Sequence, residues 1–364
     1  MVAMSGGVDS SVAAMLLKDS GYDVIGVTLR LWVDPHAEAQ AGEDAKGCCS
    51  YDAVADARLV ADMLGIPHYV FDMKAEFYEN IVCNFTSEYS CGRTPNPCIE
   101  CNRTVKFAFL LRKARGLGID LLATGHYARI DYDHANGSAR LLKGIDRQKD
   151  QSYMLYVLGQ EELAATLFPL GTMTKEQVRE LALTRGLKVA GKAESQEICF
   201  IPDNDYRSFM ERECPQIALP GAIVSTTGKL LGRHQGIAFY TIGQRKGLGI
   251  TAPHPLYVVR VDAEKNQIVV GSERELYSKG LLAGKLNYIS GVVTTEPRAV
   301  EAKIRYRASA VPATLYPPQD GFATVVFAEE QKSVTPGQSV VFYHADEVLG
   351  GGVIEAAIAD CKAL

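Results

Sequence analysis

Met1-Val2-Ala3-Met4-Ser5-Gly6-Gly7-Val8-Asp9-Ser10, continued by Ser11-Val12-Ala13-Ala14-Met15-Leu16-Leu17-Lys18, is the stretch on which the reading of the fold turns. A short apolar strand runs into a serine-glycine turn and then into residues with helical spacing. Such a turn aims several backbone N–H groups and a helix N-terminus at one point, which suits an anion such as phosphate. Gly6 and Gly7 let the backbone come close, and the hydroxyls of Ser5, Ser10 and Ser11 add donors without bulk. Asp9 is out of keeping, because a carboxylate beside a polyphosphate repels it unless a cation intervenes; it reads as a magnesium ligand or a helix cap. The loop is not G-x-x-x-x-G-K-[ST] and has no lysine. A turn that merely caps a helix is the plainer alternative. Only four residues precede the loop, so the first strand is short or the chain begins upstream.

Beyond the loop, residues 23–32 form a Val/Ile/Leu-rich second strand, completing a βαβ unit. Helical spacing resumes over 51–64 and stops at Gly65 and Pro67, with a third strand at 68–71 and a helix from 75 to about 89. Residues 120–124 make a fourth strand that ends in Gly125-His126-Tyr127. This alternation predicts a Rossmann-like parallel sheet covered on both faces, with ligands at the carboxyl ends of its strands. A hairpin at 127–130 and 139–143 turns around Asn136-Gly137, and helices come next from about 153, at 160–167 and at 174–185. The α/β domain is expected to span 1–205, a small β-rich central domain 206–278 and a C-terminal β-barrel 279–364. In the barrel, alternation over 303–307 puts Lys303, Arg305 and Arg307 on one face of a strand and Tyr306 opposite.

With 364 residues the chain can hold two or three domains with real cores. No run of eighteen apolar residues and no basic-then-apolar leader is present, which argues against a membrane span or signal peptide and for a cytoplasmic protein. Nine cysteines, an odd number that includes adjacent Cys48 and Cys49, argue against a disulfide framework and for reduced thiols. A net charge of −5 excludes a globally basic nucleic-acid binder, so any RNA site must be local.

The second informative stretch is Cys91-Gly92-Arg93-Thr94-Pro95-Asn96-Pro97-Cys98-Ile99-Glu100-Cys101-Asn102. Its prolines impose an extended path, and Cys101 stands just before a helix expected to begin near Asn102, where the dipole favours thiolate. From Cys101 to Ile119 there is no acidic residue, whereas Arg103, Lys106, Arg112, Lys113 and Arg115 are basic and Phe107, Leu110, Leu111 and Ala114 form a stripe to bury. The basic face is either simply solvated or an RNA-backbone contact. Cys199, in an apolar segment between polar flanks, would alone be a core cysteine, and a lone His126 would be a packed one. The loop at 241–249, with Arg245 and Lys246 among glycines, is an ordinary turn or lies near phosphates.

Taken together, SGGVDSS, GRTPNPCIECNRTVKF, ATGHYAR, KDQSYML, ICFIPD, TIGQRKGLGI, TPGQSVVFY and LGGGVI resemble the tRNA-specific 2-thiouridylase family in order and spacing from end to end, and SGGxDS resembles the loop of N-type ATP pyrophosphatases. The resemblance implies an ATP pyrophosphatase domain, a central domain and a C-terminal barrel that hold a tRNA anticodon arm. It implies adenylation of the C2 carbonyl of the wobble uridine and replacement of that oxygen by sulfur, giving 2-thiouridine, AMP and pyrophosphate. Cys199 would carry the persulfide and Cys101 would be the nucleophile that releases its sulfur. Ala3, Met4, Ser5, Gly6, Gly7, Val8, Asp9, Ser10, Leu29 and Gly125 would surround ATP, with Mg2+ at Asp9. Asn96, Pro97 and Cys98 would frame the target base, and His126, Lys149, Asp150, Gln151, Arg305, Tyr306 and Gln338 would contact tRNA. The implied partners are tRNA and a persulfide-donating sulfur-relay protein or cysteine desulfurase, with no membrane.

Two residues depart from the family pattern. Many members carry aspartate where Cys98 stands, so the base-like role given to that aspartate does not transfer. The change creates Cys98-x-x-Cys101, which with Cys199 could gather three thiolates for a [4Fe-4S] cluster, or for zinc with a fourth ligand. Leu29 replaces a frequent methionine, a mild change. A ligase or amidotransferase built on the same loop and acting on a small molecule is the alternative enzyme, but it has no use for Cys101 and Cys199. A non-catalytic RNA-binding protein would not need the loop.

Overall fold

The structure is a computed structural model that describes residues 1–36, 51–133, 137–192, 198–201 and 205–359. The first loop leads from strand β1 (Val2–Ala3) to the helix Val8–Asp19. β1 pairs in parallel with β2 (Gly26–Arg30) on one side and β4 (Leu122–Ala123) on the other. β3 (His68–Asp72) and β7 (Thr166–Leu167) extend the sheet to five parallel strands in the order β3-β2-β1-β4-β7.

Alternation along β1 and β4 sends Val2 and Ala123 to one face, where they meet Val12, Ala13, Val60 and Val178 of the helices Val8–Asp19, Tyr51–Leu64 and Lys175–Thr184. Met1, Val27 and Leu122 point to the other face and pack on Phe107, Leu110 and Leu111. The central strands β1 and β4 are therefore covered on both sides, which explains why they are wholly apolar, whereas the edge strand β3 is partly exposed and carries His68 and Asp72.

Several elements end elsewhere than their sequence suggests. The second strand covers only five of the ten residues 23–32. The helix over 160–167 stops at Ala164, because the sheet edge captures the next residues: Leu122 donates to Ala165 O at 2.8 Å and Thr124 to Leu167 O at 3.2 Å. The helix expected from 153 is one 3-10 turn, Ser152–Leu155.

Four strands form a small sheet in the centre, β10-β11-β8-β9, from β8 (Gly221–Ser225), β9 (Leu230–His234), β10 (Tyr257–Asp262) and β11 (Gln267–Gly271). Six strands then close a barrel: β12 (Tyr277–Tyr288), β13 (Arg298–Lys303), β14 (Val311–Leu315), β15 (Ala323–Lys332), β16 (Ser339–His344) and β17 (Glu347–Ile358). They run in the order β12-β15-β14-β13-β16-β17, and β12 pairs back onto β17. The hairpin of β5 (Ala128–Tyr132) and β6 (Ala139–Lys143) joins this sheet, with Leu142 opposite Glu347 and Leu141 opposite Val348. Asn136, expected in its turn, lies outside the described residues.

The strand expected at 303–307 ends at Lys303, and Arg305 begins a turn closed by Ala308 N–H to Arg305 O at 3.1 Å. Arg305 donates to Lys332 O at 2.8 Å and Tyr306 tilts against Tyr153, so the three cations do not form a strand face. Among the described residues no helix is long and apolar enough to cross a membrane.

Candidate active site

Gly6 has φ +68°, and a Cβ there would lie 2.2 Å from Ala53 O, so the turn and its close packing on the helix Tyr51–Leu64 both require glycine. Gly7 is the N-cap of Val8–Asp19. The Ser10 and Ser11 hydroxyls donate to Gly7 O at 3.2 and 2.9 Å, and Ser10 Oγ accepts from Ser5 N–H at 3.1 Å. These two hydroxyls shape the loop, while Ser5 is exposed. Met4 and Val8 are buried in the core, and only their backbone can serve a ligand. Gly125 closes the site from β4: a Cβ there would stand 2.8 Å from Ser10 N and 2.9 Å from Asp9 C.

Asp9 does not cap the helix, which has no side-chain cap. Its carboxylate binds the Lys175 ammonium at 2.7 and 2.8 Å and accepts the Tyr127 hydroxyl at 2.7 Å. It therefore fits Mg2+ only if the ion shares it with a buried lysine. Lys175, paired with Asp9 at the loop, is the candidate site residue that sequence reasoning missed. One signal was present: a lysine in the first turn of a helix, directly after the Thr174 capping box, opposes the helix dipole and implies an anionic partner. A second cation reaches the loop, as Lys192 donates to Asp56 at 2.7 Å and to Gly6 O at 3.3 Å.

The cysteine segment differs from its expected geometry. Its helix starts at Pro97, not near Asn102, with Asn96 as N-cap accepting from Cys98 N–H at 3.2 Å and Ile99 N–H at 3.4 Å. Proline at the first helical position loses no hydrogen bond, so Asn96-Pro97 is a start signal rather than a barrier. Cys98 takes the helix-terminal position expected for Cys101 and is exposed, whereas Cys101 is buried one turn further on. The helix continues as a π-helix, Asn102–Phe109, and as Leu110–Gly116. Asn102 holds it to the 3-10 turn by donating to Met154 O at 2.9 Å.

Cys101 belongs to an apolar cluster with Phe77, Val105, Phe200 and Ile201, and half-buried Cys199 packs against the same cluster. Cys98 does not belong to it. Among the described residues no three His, Cys, Asp or Glu side chains are grouped to hold a metal. The three-thiolate site for a [4Fe-4S] cluster or zinc is thus not assembled, because Cys98 faces solvent while Cys101 faces the core. Cys48 and Cys49 lie outside the described residues.

His126 donates or accepts at Thr124 Oγ1 (2.7 Å) and sits 6.0 Å from the rings of Phe107 and Phe168. Burial, and secondarily the Lys106 charge, push its pKa down to about 3, so it is a neutral hydrogen-bonding group. Asp150 is buried and accepts from Gly144 N–H and Ser152 N–H at 2.9 and 3.1 Å, and Gln151 accepts from Tyr127 N–H at 3.0 Å. Both brace the loop on which Lys149 is half-buried. Lys303 lies 5.6 Å from each of the Tyr153 and Tyr306 rings. Gln338 donates to Thr94 O at 2.8 Å, so its amide faces the cysteine segment. On the basic helix, Arg112 and Lys113 lie over the Phe109 ring at 5.8 and 5.5 Å, and Arg115 pairs with Glu161.

Residues 1–203 match the family described as tRNA methyl transferase HUP domain, 207–272 its PRC-barrel domain, and 278–354 the aminomethyltransferase beta-barrel domain. The chain is 54% identical over 360 residues to the tRNA-specific 2-thiouridylase MnmA of Geotalea uraniireducens (strain Rf4), covering 98% of this chain and 95% of the relative. It is likewise 54% identical over 360 residues to the protein of that name from Geobacter metallireducens, covering 99% and 97%. The one from Acetivibrio thermocellus is 54% identical over 355 residues, 98% of each chain. With the three family models matched in order along the chain and relatives 54% identical over nearly its whole length, the chain belongs to the tRNA-specific 2-thiouridylase family and is an enzyme of the tRNA sulfurtransferase class.

Proposed function

We propose that this chain converts the wobble uridine of tRNA to 2-thiouridine in two stages, an ATP-dependent activation and a cysteine-borne sulfur transfer. The uracil carbonyl oxygen is a poor leaving group. Its attack on the α-phosphorus of ATP expels pyrophosphate and turns it into AMP, which leaves readily. The loop amides around Gly6 and Gly7, the Lys175–Asp9 pair and Lys192 would hold the phosphates. Mg2+ accompanying ATP would offset phosphate charge.

In the second stage the terminal sulfur of a Cys199 persulfide attacks C2 and AMP departs. Attack by the Cys101 thiolate on Cys199 Sγ itself then breaks the bond to the transferred sulfur, frees the thiolated base as the leaving group and leaves a Cys101–Cys199 disulfide, reset by an external thiol reductant. In the alternative order Cys101 first releases hydrosulfide, which attacks C2. A persulfide-donating relay protein or a cysteine desulfurase would reload Cys199, in the cytoplasm. Asn96, Pro97 and Cys98 would frame the unstacked base. His126, Lys149, Arg305 and Tyr306 would meet the RNA, with Asp150, Gln151 and Gln338 bracing those surfaces.

The observation that carries this reading is the placement of Leu29. At the end of β2, beside the nucleotide loop, it packs against the same apolar cluster that contains Cys101 and Cys199. Activation and sulfur transfer would thus share one wall. A ligase acting on a small molecule has no need of two thiols there. The test is incubation with ATP, a persulfide donor and unmodified tRNA, followed by nucleoside analysis. We expect 2-thiouridine from the wild-type chain and none from Cys199→Ala; thiolation by Cys199→Ala would overturn the persulfide assignment.

A further inference from the structure

We propose that Arg93 is a positioning residue for the helix that begins at Pro97, and that it acts by fastening the segment before that helix to the C-terminal barrel. The proposal rests on the reading that this helix carries reacting groups. Arg93 Nε meets Glu88 at 2.6 Å, at the end of the helix Cys83–Ser90, and Arg93 Nη1 meets Glu355 of β17 at 2.6 Å. One planar guanidinium thus joins the catalytic domain to the barrel through two carboxylates, which a lysine ammonium on a flexible stem would reproduce poorly. The Arg93, Glu88 and Glu355 side chains are only 20%, 20% and 24% exposed, so solvent and salt screen the bridge less than an open surface pair.

The next residues are stitched to the same barrel. Thr94 N–H donates to Pro336 O at 2.9 Å, and Gln338 Nε2 donates to Thr94 O at 2.8 Å. Gly337, at φ +91°, lies so close that a Cβ there would be 2.7 Å from Thr94 N. On the other flank a Cβ on Gly92 would be 2.7 Å from Val261 Cγ1 of the central sheet. The chain is therefore held from three domains before Asn96 caps the helix. The barrel turn at 335–338 becomes part of the scaffold of the reaction centre, and a force on it is felt at Cys98 four residues later.

The experiment uses the full chain with Arg93→Gln, Arg93→Lys, Glu355→Gln and the double variant Arg93→Gln/Glu355→Gln. Five quantities are measured: single-turnover thiolation, KM for ATP, tRNA affinity, the thermal midpoint of unfolding, and amide hydrogen exchange over residues 97–103. We expect Arg93→Gln and Glu355→Gln each to slow single turnover about tenfold or more, since small misplacements of reacting groups are costly. KM for ATP and tRNA affinity should stay within about twofold. Exchange over 97–103 should accelerate about tenfold, Arg93→Lys should recover part of both losses, and the double variant should be no worse than the poorer single one. Unchanged single turnover and exchange in Glu355→Gln would overturn the proposal, as would losses in rate, ATP binding and thermal midpoint that all move together. Glu355→Gln carries the test alone if Arg93→Gln does not fold. If the wild-type chain makes no 2-thiouridine, the thiolation reading fails, while the exchange measurement still decides the role of Arg93.

Discussion

The Lys175 ammonium stands 2.7 and 2.8 Å from the two carboxylate oxygens of Asp9, within the first turn of the helix after the nucleotide loop. The pair reconciles an acidic residue with an anion site. Replacing Lys175 by Met removes the positive charge and leaves Asp9 facing the polyphosphate. KM for ATP should rise about tenfold or more, roughly 1.4 kcal/mol of lost binding. ATP–pyrophosphate exchange measures it, and an unaltered KM would mean that Lys175 only neutralises Asp9 within the fold.

Gly125→Ala should damage the same site without unfolding the sheet. The added methyl would press on Ser10 N and Asp9 C, both backbone atoms that cannot swing aside. Overpacking of this kind costs about 1–3 kcal/mol. Weaker ATP binding with a near-normal circular dichroism spectrum is the expected pair of results; wild-type ATP affinity would show that the loop can shift at no cost.

Stability should fall with acid partly through His126. Its folded pKa of about 3 lies below the ordinary 6.5, so from pH 6.5 downward the unfolded chain takes up a proton that the folded chain refuses. The contribution is fully present above pH 6.5 and is lost progressively as pH falls towards 3, by up to about 1.4 kcal/mol per unit. His68 and His234, also shifted down by burial, act in the same direction. Urea unfolding of His126→Asn between pH 7 and 5 should show a shallower pH slope than wild type. An identical slope would contradict a neutral His126.

Cys98→Asp separates position from chemistry at the exposed start of the cysteine helix. A carboxylate in the first turn interacts favourably with the helix dipole, by about 0.3–1 kcal/mol. The variant should be slightly more stable in thermal unfolding and should keep thiolation within about threefold of wild type. Activity as low as that of Cys101→Ala would instead make the Cys98 thiol indispensable.

The basic face of the long helix should contribute to tRNA binding through salt-sensitive backbone contacts. Lys113→Ala should lower the slope of log affinity against log salt by about 0.7–0.9, without changing which tRNAs bind. Filter binding across salt concentrations reads this directly, and an unchanged slope would return the face to plain solvation.

The features legible in the sequence are local ones. Gly6, Gly7 and the apolar run after them carry their loop and helix in a dozen residues, and the Val/Leu-rich segments around Val27 and Leu122 read as buried strands because both faces of the sheet are covered. Lys175 is not legible as a partner of Asp9, since the ion pair joins residues far apart in the chain and only a charge misplaced at a helix start hints at it. The start of the cysteine helix is misread for a different reason: Pro97 looks like a breaker, although at the first helical position after an Asn cap it initiates. The π-helical turn after Cys101 has no periodicity of its own, and the capture of Thr166 by the sheet depends on hydrogen bonds offered by a strand more than forty residues earlier.

During synthesis the β5–β6 hairpin leaves the ribosome about 200 residues before the strand that covers its edge, because Leu141 and Leu142 wait for Val348 and Glu347 of β17. Until the last strand arrives, the nascent catalytic domain carries an open, partly apolar edge suited to wrong partners. A chain cut short anywhere in the barrel would keep that edge for good, so truncation should yield aggregates in place of a working nucleotide-binding half.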